Sequence, residues 1–177
     1  MSDDRHFAAP WALSVKIVTP AVSGVLVGSA LIVAMALPDH SSLFVHCAGI
    51  AAPLLVLAVT LLFLVRGYVL QERTLLIQRF GWNTRVDLTA LRSVEADSNA
   101  MRGSLRLFAS GGLFGFFGLF RNRSLSLYRA YATDPRRAVV LKLSGRTVVV
   151  TPDDPGAFVA EVRRRIGITD APPVIPG

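Results

Sequence analysis

Residues 139–167 read VVLKLSGRTVVVTPDDPGAFVAEVRRRIG, and a change of period inside this stretch decides the fold class. Val139, Leu141 and Leu143 fall two apart, which gives a strand one apolar face. Ser144-Gly145 is a two-residue turn of the kind that joins antiparallel strands, and Thr147 to Thr151 reads as the return strand. Beyond Pro152 the spacing lengthens. Phe158, Val159, Val162 and Ile166 recur at helical intervals, Asp153-Asp154-Pro155 supplies an acidic start with an early proline, and Gly167 follows the end. Arg163, Arg164 and Arg165 occupy the last turn, where positive charge complements the helix dipole. A strand hairpin followed by an amphipathic helix predicts an α+β arrangement, strands first and then one helix.

The same short alternation extends toward the N-terminus. Leu125 and Leu127 alternate with Ser124, Ser126 and Tyr128 in a segment that continues through Tyr131. A short apolar piece surrounds Leu91 and Val94, and Trp82 to Leu88 alternates. Leu75, Ile77 and Arg79 alternate with Leu76, Gln78 and Phe80, and Gly81 ends that run. Several short strands punctuated by turn residues indicate an antiparallel sandwich or barrel.

Ahead of Arg66 the pattern is different. Ile17 to Leu37 is 21 residues without a charge, and Leu43 to Val65 is 23. As helices these segments would be roughly 31 and 34 Å long, enough for a ~30 Å hydrocarbon core. Pro20 is expected in the first turn of the first span and Pro53 in mid-span of the second, where it kinks the helix. Gly24 and Gly28 form a GxxxG spacing that lets two backbones approach; the alternative is that small residues are simply common here. The connection, Pro38 to Ser42, holds no Lys or Arg, whereas Arg5, Lys16, Arg66, Arg73 and Arg79 flank the outer ends. The positive-inside rule then places both termini in the cytoplasm of a multi-pass inner-membrane protein. Ala34-Met35-Ala36 resembles a signal-peptidase site, but the apolar run exceeds the ~7–15 residues of a signal core, and Asp3 and Asp4 open the chain.

Composition agrees with this division. Of 177 residues 52% are apolar and 18% charged, against ~25% charged in an ordinary soluble domain. Mean hydropathy is +0.49, which speaks against a purely soluble or a disordered chain. The net charge of +7 is concentrated after residue 65: positions 66–177 carry +8 and the rest −1. That distribution suits a membrane surface better than nucleic acid, which is not an expected partner. Cys47 is alone, so neither a disulfide framework nor a cysteine metal site is expected.

The order of segments after Arg66 resembles the bacterial pleckstrin-homology-like (PH) domains. The resemblance is carried by Leu113-Phe-Gly-Phe-Phe-Gly-Leu-Phe120, Asn122, Tyr131-Ala-Thr-Asp134, Val139-Val-Leu, Gly145-Arg-Thr-Val-Val-Val-Thr-Pro152 and Asp154-Pro-Gly-Ala-Phe158. It covers residues 66–166. It implies an antiparallel β-barrel of about seven strands, partly open, with a C-terminal helix capping one end. Such domains often follow one or two membrane spans. The expected organisation is a cytoplasmic tail (1–16), a transmembrane helical hairpin (17–65), the PH-like domain (66–166) and a proline-rich tail (167–177).

Catalytic chemistry is not expected. His6, His40 and His46 fall on different segments, and the His46-Cys47 pair stands at a span boundary. Asp153 and Asp154 suit a helix start. Ser110 to Gly118 is glycine-rich but lacks the lysine and spacing of a phosphate loop, so no cofactor or metal is expected.

The expected role is therefore non-enzymatic: a binding or scaffolding module that docks a protein, or a second copy of itself, at the membrane surface. The alternative is contact with anionic lipid headgroups; a third reading, a membrane enzyme, would require polar groups converging in the bilayer, and the spans show almost none. The candidate surface is Phe114, Phe116, Phe117, Arg121, Arg123, Arg136 and Arg137. Its aromatics either pack inward, with glycines making the bends of a small barrel, or lie outward as an interfacial patch.

Overall fold

The computed structural model of the chain describes residues 4–36, 42–111 and 115–167. Two long helices, α1 (Leu13–Ala36) and α2 (Leu43–Leu62), lie side by side. Within them Val15–Met35 and Leu43–Leu62 are long and apolar enough to cross a membrane. They pack tightly at Gly49, where a Cβ would lie 2.6 Å from Val33 Cγ1. Nothing comes within 4 Å of where a Cβ would stand on Gly24 or Gly28, so the GxxxG spacing makes no contact between these two helices.

The helix limits differ from the charge-free runs. α1 starts at Leu13, which leaves Pro20 about two turns inside it and the Lys16 carbonyl without its i+4 donor. α2 is capped by Ser42, whose Oγ accepts from the Val45 N–H, and it ends at Leu62. Val65, expected to close the second span, instead begins a strand.

The strands form two open sheets. The first has the order β1 (Arg5–Ala8), β2 (Val65–Gln71), β3 (Thr74–Arg79), β4 (Asn83–Asp87), all antiparallel. The second contains β5 (Leu91–Ala96), β6 (Leu105–Gly111), β7 (Phe116–Asn122), β8 (Ser126–Ala132), β9 (Val139–Leu143) and β10 (Arg146–Val150), in the order β5-β9-β10-β8-β7-β6. This corrects the expected barrel in three ways. Among the described residues there are ten strands, no ladder closes one sheet onto the other, and β10 runs parallel to β8. One of the extra strands comes from the segment expected to be a tail: Arg5 to Ala8 fills the free edge of β2, with Ala8 opposite Gly67. Phe7 holds it there, its ring edge-on to Phe158 at 5.1 Å.

The main core lies between the sheets, where Tyr68, Leu75, Ile77 and Leu88 meet Val94, Leu141, Val148 and Val150. Helix α3 (Pro155–Ile166) closes it with Phe158 and Val162, both fully buried. Asp154 caps α3 by accepting from the Ala157 N–H, and Gly167 ends it at φ 71°, a left-handed conformation that costs glycine little. A second cluster on the outer face of the larger sheet contains Phe120, Tyr128, Ala130, Val140 and Val149.

A buried polar node joins the sheets to the start of α1. The Tyr68 hydroxyl donates to the Tyr131 carbonyl at 2.6 Å and accepts from the Thr151 N–H at 3.1 Å. The Thr133 N–H donates to Thr151 Oγ1, and Thr133 Oγ1 donates to the Pro10 carbonyl. The Ala12 N–H then donates to the Thr133 carbonyl. Every link is a real donor–acceptor pair, so this buried cluster is fastened rather than strained.

Candidate functional site

Cross-strand register defines one face of the larger sheet. Leu105, Arg121 and Leu127 stand in one row, and Phe108, Leu119 and Arg129 in the next. Phe117 and Tyr131 follow toward the helices. Because Arg129 is beside Val148 and Tyr131 beside Val150, this is the same face that fills the inter-sheet core. The smaller sheet packs over β5, β9 and β10, and β6 and β7 contribute no side chain to that core. Leu105 (71% exposed), Phe108 (84%) and Leu127 (51%) are left open, with the exposed Arg121 among them. A bulge between Arg106 and Phe108 also turns Leu107 partly outward.

At its helix end the face is covered. Phe63, which caps α2, stacks on Phe117 with centroids 6.0 Å apart and 16° between planes. Trp82, in the turn after β3, meets Phe63 edge-on at 5.4 Å. Arg79, the last residue of β3, lies over three rings: Tyr131 at 5.1 Å, Phe63 at 5.6 Å and Trp82 at 5.8 Å. Arg66 lies 5.7 Å from the Phe80 ring. A set of aromatic and arginine side chains thus surrounds the point where α2 enters the domain.

Arg79 separates two hollows. One, about 590 Å³, lies between the last turn of α2 (Val59, Thr60, Phe63) and Phe108, Phe117 and Leu119, with Arg129 at its side. The other, about 400 Å³, is polar and is lined by Arg66, Gln78, Arg79 and Asn83. The Arg79 Nε is buried and meets no hydrogen-bond acceptor, and no carboxylate pairs with the guanidinium among the described residues. Burial pulls its pKa below the usual arginine value, opposed by the Tyr131 phenol. The side chain stays cationic, because an arginine ordinarily titrates far above neutrality.

The residues singled out from sequence do not form one patch. Phe114 lies outside the described residues. Phe117 is buried at the joint with α2, the inward one of the two alternatives for these aromatics, so it drops out of the candidate surface, and the half-buried Phe116 belongs to the opposite face. Arg121 is exposed on the open face but five residues along β7 from Phe116, roughly 16 Å away. Arg123 is exposed in the turn beyond. Arg136 and Arg137 are exposed on a 3₁₀ turn (Pro135–Arg137); Arg137 donates to the Asp153 carbonyl and lies 3.9 Å from Asp134. Phe63, Phe108 and Arg79 were not singled out. The available signal was the alternation Leu75, Ile77, Arg79, which puts a cation on an inward face.

Two stacked open sheets closed by a C-terminal helix define a PH-type domain. The family model described as Bacterial PH domain matches residues 66–166, and the chain belongs to that family. Comparison with curated proteins and with solved structures gives no match. Membership suggests a binding or scaffolding module. Strand β1 and both long helices precede the matched residues.

Proposed function

We propose that the chain is a non-catalytic, membrane-anchored PH-type module that docks a protein at the cytoplasmic surface of a bacterial inner membrane. In this reading α1 and α2 span the bilayer and both termini are inside, as the arginines flanking the outer helix ends favour. The observation that carries docking is the open face of the larger sheet, where Leu105, Phe108 and Leu127 surround Arg121. Contiguous exposed apolar side chains on a folded domain mark an interaction surface. The occupant that fits is an apolar segment bearing carboxylates. A second copy using the same face would bring Arg121 and Arg129 against their own equivalents, and like charges disfavour that pairing.

Photo-crosslinking of the full chain in its native membrane tests this reading. A crosslinker at Leu105 or Leu127 should give a heavier protein adduct that is lost with Arg121→Glu, while one at Arg85 on β4 should give none. Adducts of twice the chain mass would assign the face to self-association. No protein adduct at either position would overturn docking there.

A further inference from the structure

We infer that the junction of α2 with the domain holds one anionic phospholipid, its phosphate against Arg79 and one acyl chain in the apolar hollow. The inference rests on α1 and α2 spanning a bilayer and does not require protein docking on the open face, with which the apolar hollow shares Phe108 and Arg129. Three observations converge on Arg79. Tyr131, Phe63 and Trp82 engage the guanidinium through their rings, and such contacts supply no hydrogen-bond acceptor for its N–H groups. Its Nε is buried without an acceptor, a cost that an anionic oxygen removes. And it stands between a polar hollow, with Arg66, Gln78 and Asn83 as further donors, and an apolar one.

An amphiphile matches that division. Its phosphate fits the polar side, where two guanidiniums and two side-chain amides converge. Its chain fits the other side, whose volume of about 590 Å³ lies within the usual range of ligand sites. The source is the bilayer itself, because Val59, Thr60 and Phe63 of a membrane helix form one wall of the apolar hollow. A free phosphate would leave that hollow unfilled. A zwitterionic lipid would bring its own cation toward Arg66 and Arg79, so an anionic headgroup is favoured.

Trp82 is placed to report occupancy, since the chain has only one other tryptophan, Trp11. The Trp11→Phe chain is reconstituted in phosphatidylcholine vesicles containing brominated phosphatidylglycerol or, at equal mole fraction, brominated phosphatidylcholine. Quenching of Trp82 should be about fivefold stronger with the anionic lipid, as expected for one basic group acting on an anionic headgroup. The preference should persist at ~1 M salt, where exposed charges are screened within ~3 Å. It should collapse in Arg79→Gln and survive Arg136→Gln with Arg137→Gln. If Arg79→Gln fails to fold, Leu119→Phe narrows the apolar hollow and should lower the preference while keeping Arg79. Equal quenching by both lipids, or a preference abolished by salt, would overturn the site. Loss of the preference on adding inorganic phosphate would assign the site to a free anion and overturn the lipid. Absence of quenching by either lipid would overturn the membrane reading and the site together.

Discussion

Phe63 and Phe117 stack at 6.0 Å with 16° between their planes, and this contact joins the end of a membrane-length helix to β7, next to the edge of the larger sheet. Phe63 is half-exposed, whereas Phe117 is only 6% exposed. With the hydrogen bonds of Thr133 to Pro10 and Ala12, it ties the domain to both helices where they enter it. The two helices and the sheets are therefore coupled at two separate points.

Phe117→Ala should destabilise the joint by about 3–5 kcal/mol, the range for removing a buried aromatic ring. Phe116→Ala, at a half-buried position on the opposite face, should cost clearly less. Thermal unfolding of the full chain in mild detergent, followed by circular dichroism, compares the two.

Tyr68→Phe should cost about 1–3 kcal/mol, because it strands the Tyr131 carbonyl and the Thr151 N–H in a buried setting. The same hydroxyl gives a pH signature. Burial pushes the Tyr68 pKa up to about 12, so the folded chain keeps this proton when the unfolded chain has lost it. Stability from this group is present below pH ~10 and falls as pH rises from there through about 12. Denaturation curves across that window should show the decline in the native chain and a shallower one in Tyr68→Phe.

Glu161 behaves in the opposite sense. Hydrogen bonds from Arg164 and Arg165 hold its pKa at about 2, well below that of a free carboxylate. Its stabilisation is present above pH ~4.5 and disappears as pH falls through about 2. Glu161→Gln should cost about 1 kcal/mol at neutral pH and almost nothing near pH 2. Urea midpoints at the two pH values separate these outcomes.

The elements legible in the sequence are those whose periodicity is local. The strands β3, β4, β5, β8, β9 and β10 and the capped helix α3 follow from alternation, turn residues and the Asp154–Gly167 bounds. β1 was hidden because Arg5 to Ala8 is too short to have a period, and it becomes a strand only on the edge of β2. β2 was partly hidden because Val65 continues the apolar run of α2 without a break. The glycines around Phe116 and Phe117 suggested corners; Gly115, at φ 132°, instead admits close backbone approach, since a Cβ there would stand 2.8 Å from the Ala132 carbonyl. The parallel pairing of β8 with β10 depends on long-range contacts and leaves no local pattern.

The candidate site was less legible for the same reason. Phe117 could be picked out as aromatic, but not as the partner of Phe63, more than fifty residues earlier. Arg79 carries an inward position in its alternation, yet the three rings beneath it come from the end of α2, the turn after β3, and β8.

The central claim, a PH-type domain anchored at the inner face of the membrane by a helical hairpin, is tested most directly by thiol accessibility in intact bacteria. In a Cys47→Ser background, single cysteines are placed at Ser41, between the two helices, and at Arg146, at the start of β10. The expected result with a membrane-impermeant maleimide is labelling of Ser41→Cys from outside, and of Arg146→Cys only after the membrane is permeabilised. Labelling of Arg146→Cys in intact cells, with Ser41→Cys protected, would contradict it.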